Sequence, residues 1–548
     1  MKKVCFSLLI CLAATAAMAQ NLQNASKQLK VFNQLYKTLD MYYVDTLDAE
    51  KNITTAINAM LYDLDPYTEY YTAKTARELN TMTTGKYAGV GMLIHYYKAE
   101  DRCVAYQLFE DKPAQKAGIK VGDVILSIDG KEMGPKGSKP VNDFTNSVSS
   151  ALRGDPNTVA HVRVKRLTDT LDIDITRASV QLPAMPYSGL VDGDVGYIYL
   201  SSFTTDCSDD VRQAVRNLKE QGAKSIVLDL RNNGGGLANE AVKIVNIFVE
   251  KGKLILKMKG KVAAANTSYA TQGIPEDLDI PLAVLVNGAS ASSSEIVCGS
   301  LQDLDRAVIV GERTFGKGLV QQPHELPYDG VLKLTTSHYY IPSGRCIQAL
   351  DYSHRTDNGE AYRTPDSLTH TFYTEAGRPV KDGGGITPDI TVSDTIPTLL
   401  AYLRNSDEYF DWLNAYCRSH ETISPAGEFG ISDEDYEAFT DSIVKSGFTP
   451  ENRSKRVVEQ LRKILKAEDA SEEAMQNLST LEESLKPDLA KILAQHKDKM
   501  SRCINADICD RYYYSAGAQQ NALLHDVQLD AAVAVLKDSK RYKEILGQ

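Results

Sequence analysis

The chain has 548 residues, a formal net charge of −11 and 43% apolar side chains. That length implies three or four domains, and the apolar content is ample for packed cores. The acidic balance argues against nucleic acid and anionic membrane as partners, and past the N-terminal segment no run of 18 apolar residues could cross a membrane.

Residues 1–19 read as a secretory signal: Lys2 and Lys3, an apolar run from Val4 to Ala17, then Ala17-Met18-Ala19 before Gln20. A lipoprotein site at Cys11 is disfavoured, because Leu8-Leu9-Ile10 lacks the small residues such a site needs. Export to the periplasm or cell envelope is the expectation. Beyond the signal lie Cys103, Cys207, Cys298, Cys346, Cys417, Cys503 and Cys509. An odd, scattered set implies no disulfide framework; Cys503 and Cys509 are a candidate pair in an oxidising compartment. Neither a CxxC nor a His pair at metal spacing occurs, so no metal or other cofactor is expected.

Residues 20–82 form a helical region. Leu29, Phe32, Leu35, Tyr36, Leu39 and Tyr43 share one helical face, and Ile53, Ile57, Met60, Leu61 and Leu64 repeat the pattern up to Asp65-Pro66. These read first as packing faces of the same chain. Over 83–178, Asp111 to Ala117 reads as a short helix stopped at Gly118. Val121 to Gly130 is a strand running into a tight turn. From 179 to 392 strands and helices alternate. Val195–Leu200 and Ser225–Leu230 are strands flanking a helix from Asp209 to Glu220, and a glycine loop, Arg231-Asn232-Asn233-Gly234-Gly235-Gly236, leads into a helix ending at Phe248. Such alternation argues an α/β layer with parallel strands. The stretch 350–382 is expected to be a surface loop or hairpin. Residues 393–548 are helical by periodicity and suggest no chemistry of their own.

Two polar features stand in an apolar frame: the run Ser290-Ala291-Ser292-Ser293-Ser294-Glu295, and Lys317 between Gly316 and Gly318. A strand from Ala283 to Val286 precedes the run, a helix starts near Ser292, and a second strand, Ala307 to Val310, delivers the lysine loop. A serine hydroxyl becomes a good nucleophile only when a base takes its proton, and a lysine serves only when neutral, which burial favours. A helix start places free amides where negative charge develops. The bland alternative is a capping box, Ser292 capping and Glu295 reaching back. A phosphate loop over Gly311–Lys317 is excluded by Gly318 in place of Ser or Thr and by the strand-like run after it. A dinucleotide loop at Gly234–Gly236 fails for want of a glycine at Asn239 and of an acidic partner.

Ser290-Ala291-Ser292-Ser293-Ser294-Glu295-Ile296, followed by Gly311, Thr314-Phe315-Gly316-Lys317-Gly318 and Gln321, resembles the active-site region of the C-terminal processing peptidases, also called tail-specific proteases. The resemblance covers about residues 30–392. It implies Ser292 as nucleophile, Lys317 as base and Gln321 as the residue orienting the lysine. Ser293 stands where the family commonly has alanine. The glycine loop is similar to the family's Leu-Arg-x-Asn-x-Gly-Gly motif, which implies an oxyanion hole from the Gly235 and Ser293 amides. Gly89-Val90-Gly91-Met92 resembles the carboxylate loop of PDZ domains, whose amides hold a peptide C-terminus. The implied fold is an α/β crotonase-like protease core (179–392) with an inserted β-rich PDZ domain (83–178), an N-terminal helical arm and a C-terminal all-α region (393–548). The implied partners are proteins or peptides with accessible C-termini, with peripheral envelope contacts possible in that location. Related peptidases carry a similar arm, which in some builds a homodimer.

Three functions compete: a serine endopeptidase acting on C-terminal tails, a catalytically silent PDZ adaptor of the envelope, and a Ser-His-Asp hydrolase using His324 or His338. The last lacks the closing glycine of a nucleophile elbow, since Gly288-x-Ser290-x-Ser292 ends in serine. The joint presence of serine run, lysine loop and glutamine favours the first over the second.

Overall fold

Six apolar runs in the middle of the chain become one sheet in a computed structural model that describes residues 23–356, 358–449 and 453–548. The signal-peptide reading of 1–19 falls outside the described residues. The strands are β1 (Tyr187–Val191), β2 (Val195–Tyr199), β3 (Ser225–Asp229), β4 (Leu282–Val286), β5 (Val308–Gly311) and β6 (Ile390–Thr391). They lie side by side in sequence order, antiparallel between β1 and β2 and parallel from β2 to β6. Parallel strands are covered on both faces, so they read as continuous rather than alternating apolar runs.

Alternate residues of these strands enter two different cores. Ile226, Leu228, Leu282, Val284 and Ile309 face α1 (Cys207–Glu220), α2 (Ala238–Phe248) and α3 (Ser293–Asp303). Val227, Ala283, Leu285, Val308 and Val310 face the other way. They pack against Leu529, Ala532 and Leu536 of α4 (Val527–Lys537) and Tyr542 and Leu546 of α5 (Ser539–Leu546). The last two helices of the chain are therefore the second cover of the central sheet. Tyr542 fastens them: its hydroxyl accepts the Leu282 N–H at 3.0 Å and lies 3.2 Å from the Leu282 carbonyl. The sequence reading assigned the tail to a separate all-α region, and periodicity alone could not say what its apolar faces meet.

Between 86 and 181 an antiparallel sheet carries strands Met92–Tyr97, Arg102–Leu108, Val124–Ile128, Val159–Arg166 and Asp169–Thr176. Helix Val141–Leu152 buries Phe144, Val148 and Leu152, one per turn, against it. The short helix is Pro113–Lys116. Further on, helices from Thr398 to Ala522 form their own core around Phe439, Ile443, Ile504 and Ile508. They dock on this sheet through Phe410, which packs on Val104 and Val124 and stacks on Tyr106 with ring centroids 5.5 Å apart. The stretch 350–382 holds two small hairpins, Leu350–Arg355 with Ala361–Arg363 and Thr371–Tyr373 with Pro379–Lys381. Cys503 and Cys509 are unpaired. Six residues apart on one helix, Lys497–Ala522, they are separated by about 9 Å of rise, beyond disulfide reach.

The described residues divide into two compact units, one within 74–320 and 336–548 and a smaller one within 23–73 and 321–335. In the smaller unit, residues 23–42 and Ala49–Leu64 are helical. The second is capped by Asp48, which accepts the Lys51 N–H, and stops at Asp65. Strand Glu69–Tyr71 pairs antiparallel with Val331–Lys333. The apolar faces expected to pack within the chain are largely uncovered: Leu29 is 68% exposed, Leu35 51% and Met60 62%.

Candidate active site

β4 leads into the turn Asn287-Gly288-Ala289, and the serine run begins directly after it. Ser290 is fully buried; its hydroxyl accepts the Asn287 N–H at 2.9 Å and donates to the Leu230 carbonyl at 2.8 Å. Ser293 and Ser294 are equally buried and donate to the Gly236 and Asn233 carbonyls at 2.9 and 2.8 Å. Those three hydroxyls are structural. Ser292 is half-buried and caps α3 with φ 57° and ψ −113°. A residue with a Cβ holds such a conformation only where the surroundings impose it.

Glu295, in the first turn of α3, is 0% exposed. Its Oε2 accepts the Ser292 N–H at 2.9 Å and the Lys317 N–H at 2.9 Å. Its Oε1 accepts the Thr314 hydroxyl at 2.6 Å and the Gly316 N–H at 2.7 Å. Both catalytic candidates thus donate backbone protons to one oxygen, so their nitrogens are at most twice that distance apart. Burial pushes the Glu295 carboxyl up to about 7, against the pull of the Thr314, Lys317, Ser292 and Gly316 hydrogen bonds. The Glu295 half of the capping box read from the sequence is therefore present, and its carboxylate also does a second job that the sequence reading missed. The only signal for it was the density of donors in Thr314-Phe315-Gly316-Lys317, since the nearby Glu312 accepts instead from Ser393 and Thr395.

Lys317 is half-buried. Its loop is strapped down by the Gly318 N–H donating to Gln348 Oε1 at 2.7 Å and the Ala349 N–H donating to the Gly316 carbonyl at 2.9 Å. Gly316 has φ +90°, and a Cβ there would stand 2.4 Å from that of Ala349. The loop continues into strand Leu319–Leu326, as the exclusion of a phosphate loop required. Gln321 belongs to the smaller unit, where its side chain donates to Thr335 Oγ1 at 3.1 Å.

The glycine loop after β3 is sewn to the serine run. The Asn233 carbonyl accepts the Ala291 N–H at 3.0 Å, Asn287 Oδ1 accepts the Asn232 backbone N–H at 3.0 Å, and Asn287 Nδ2 donates to Asn232 Oδ1 at 2.9 Å. Gly235 has φ +101°, and a Cβ there would lie 2.8 Å from that of Ser292 and 3.0 Å from the Ser293 nitrogen. Only glycine allows that approach. The Gly235 N–H itself donates to Asn233 Oδ1 at 2.9 Å. Ser293 opens α3, where amides have no intrahelical acceptor.

His338 is exposed on strand Gly330–Tyr340, while its neighbours Ser337 and Tyr339 are buried and the Tyr339 hydroxyl donates to the Ser292 carbonyl at 3.2 Å. Alternation turns His338 to the other face. Gly89 ends strand Lys86–Gly89, which pairs with Ala178–Gln181, and Met92 begins the first strand of the other sheet. The Val90 and Gly91 carbonyls accept the Ala114 and Phe109 N–H groups at 2.7 and 3.3 Å. Burial pushes the Tyr87 hydroxyl up to about 12, opposed by Arg153 and by a hydrogen bond to the Gly91 backbone.

Three family models match the chain. Residues 194–354 match the model of Peptidase family S41, 90–176 that of the PDZ domain, and 399–536 one described as "Probable PDZ-protease, C-terminal helical domain". The tail, which suggested no chemistry by itself, is thus similar to a domain that accompanies PDZ proteases. A carboxy-terminal-processing protease of Bartonella bacilliformis is 35% identical over 343 residues, 62% of this chain and 76% of that protein. A "Probable CtpA-like serine protease" of Staphylococcus aureus is 35% identical over 321 residues, 58% of this chain and 62% of that protein. Among solved structures, a photosystem II D1 C-terminal processing protease shares 25% identity over 67% of this chain and 88% of its own, with a TM-score of 0.37. The chain belongs to peptidase family S41, as a C-terminal processing peptidase of serine type carrying a PDZ domain and a C-terminal helical domain.

Proposed function

We propose that the protein is a serine endopeptidase that takes the C-terminal tail of a protein substrate in its PDZ loop and cleaves it with Ser292 and Lys317. The observation carrying this reading is the shared Glu295 oxygen, which holds the Ser292 and Lys317 amides together across 25 residues of sequence. Lys317 takes the Ser292 hydroxyl proton as the oxygen attacks the scissile carbonyl, then delivers it to the leaving amine. Water attacks the resulting acyl-enzyme by the same route in reverse. The Ser293 N–H holds the developing oxyanion. Gly235 joins it when its amide turns from Asn233 Oδ1 to the substrate oxygen. Gln321 orients the lysine. A substrate carboxylate seats on the loop of Gly89, Val90, Gly91 and Met92, competing with the Tyr87 hydroxyl for the Gly91 backbone.

The central sheet is read as a crotonase-like core, consistent with its sequential strand order. Export to the periplasm or envelope is inferred from residues 1–19. The uncovered apolar faces of the two N-terminal helices support a homodimer through that arm. A silent PDZ adaptor is the alternative: it predicts no product from the parent protein, whereas the peptidase reading predicts product from the parent and none from Ser292→Ala. The variant should fold, since only a hydroxyl is removed, and should release no product from a C-terminally tailed substrate. Cleavage by Ser292→Ala at the parent rate would leave Ser292 a helix cap and end the dyad.

A further inference from the structure

Arg231 opens the glycine loop, and its guanidinium lies between two carboxylates. Asp229, at the end of the same strand, accepts from Nε at 2.9 and 3.0 Å and from Nη2. Asp526, 295 residues away, accepts from Nη1 at 2.9 Å through Oδ1 and from Nη2 at 2.6 Å through Oδ2. Gln528 Oε1 accepts from Nη1 at 3.0 Å, and the Gln528 amide donates to the Val392 carbonyl at 2.7 Å. Burial disfavours the Arg231 charge, but Asp229 and Asp526 together hold it well above its ordinary range. Asp229 ties the arginine to the central sheet, as the end of β3 and the acceptor of the Tyr197 hydroxyl of β2 at 2.6 Å. Asp526 ties it to the segment covering the opposite face of the sheet.

We propose that Asp526 is a positioning residue for catalysis, acting through Arg231 to set the glycine loop against Ser292. This rests on the reading of Ser292 as nucleophile. The loop's other end has little tolerance: Gly235 leaves no room for a Cβ beside Ser292 and Ser293. A shift at Arg231 is therefore delivered to the groups that face the oxyanion. A fork bound at both tips fixes the guanidinium in its plane, which a single carboxylate does not. The C-terminal helical region thereby becomes part of the catalytic apparatus. The same region docks on the PDZ sheet through Phe410 and through Gln107, which donates to Asp510 Oδ1 at 2.6 Å.

Asp526 also caps α4, with Oδ1 accepting the Gln528 and Leu529 N–H groups at 3.0 Å. The test must separate the two roles. Asn is as good a cap as Asp, so Asp526→Asn keeps the helix start and leaves Arg231 neutralised by Asp229. The matched control is Asp538→Asn, because Asp538 caps α5 by accepting the Arg541 N–H and belongs to no part of the loop. A second variant, Gln528→Ala, removes an Arg231 acceptor without touching charge or cap. With a C-terminally tailed peptide, Asp526→Asn should lower kcat by about tenfold or more, with KM within about twofold, because only transition-state contacts change. Gln528→Ala should lower kcat less, and Asp538→Asn should leave it unchanged. An unchanged kcat in both Asp526→Asn and Gln528→Ala overturns the proposal, as does an equal loss in Asp538→Asn. If the dyad reading were at fault instead, Ser292→Ala would retain activity, whatever the Asp526 variants do.

Discussion

Replacing Glu295 by glutamine removes one negative charge and turns one acceptor end into a donor. All four partners of Glu295 are donors: Ser292, Lys317 and Gly316 through backbone N–H groups and Thr314 through its hydroxyl. Whichever way the amide is oriented, its NH2 confronts two of them. Each buried donor left without an acceptor costs about 1–3 kcal/mol, so the loss is about 2–6 kcal/mol. Against it stands the desolvation of the carboxylate. A rise from the ordinary 4.5 to about 7 corresponds to about 3 kcal/mol at pH 8, which the glutamine variant avoids. Stability should therefore fall by no more than ~3 kcal/mol, while displacement of the Ser292 and Lys317 backbones lowers kcat by about a hundredfold.

The pH dependence carries a sign of its own. A folded value above the unfolded one means that the stability due to this group is fully present below about pH 4.5 and lost as pH rises through about 7. Activity should move the other way across that window, because only the ionised carboxylate accepts all four bonds. Cleavage rate and melting temperature, measured from pH 5 to pH 8 on parent and Glu295→Gln, test both trends. The variant should lack the activity limb near pH 7. A variant that cleaves at the parent rate, or keeps the same limb, refutes the reasoning.

Ser294→Ala should remain active and lose about 1–2 kcal/mol, since the hydroxyl's buried bond to Asn233 is structural; thermal melting with a parallel activity assay checks this, and an inactive, well-folded variant would contradict it. Amidating the C-terminus of a peptide substrate should raise KM by about tenfold or more, because hydrogen bonds to a charged group are worth about 1.5–3 kcal/mol each; equal KM for acid and amide would show that the loop Gly89–Met92 does not read the terminus.

The serine run and lysine loop were legible because each is compact in sequence and sits between strong apolar strands. β4, α3 and β5 fall within a residue or two of where glycine turns and the capping serine place them. Glu295 was legible only as a cap, since its remaining donors lie 19 to 22 residues away. The pairing of Asp526 with Arg231 spans most of the chain and leaves no local pattern. The tail's apolar stripes announced helices but not the sheet they cover. In the N-terminal arm the stripes were equally clear, yet Leu29 and Leu35 remain exposed: periodicity finds an apolar face and does not say whether the chain itself covers it. Cys503 and Cys509 failed as a pair for a local reason, since helical geometry holds them apart.

The dyad is tested most directly by the cleavage rate of Lys317→Arg on a C-terminally tailed peptide, beside the parent and His338→Ala. Arginine keeps the charge and the reach but gives up no proton in a protein, so it cannot serve as the base for Ser292. Product from Lys317→Arg should fall to the level of Ser292→Ala, with substrate still bound, while His338→Ala cleaves like the parent. An active Lys317→Arg, or loss of activity in His338→Ala, would contradict a serine–lysine mechanism.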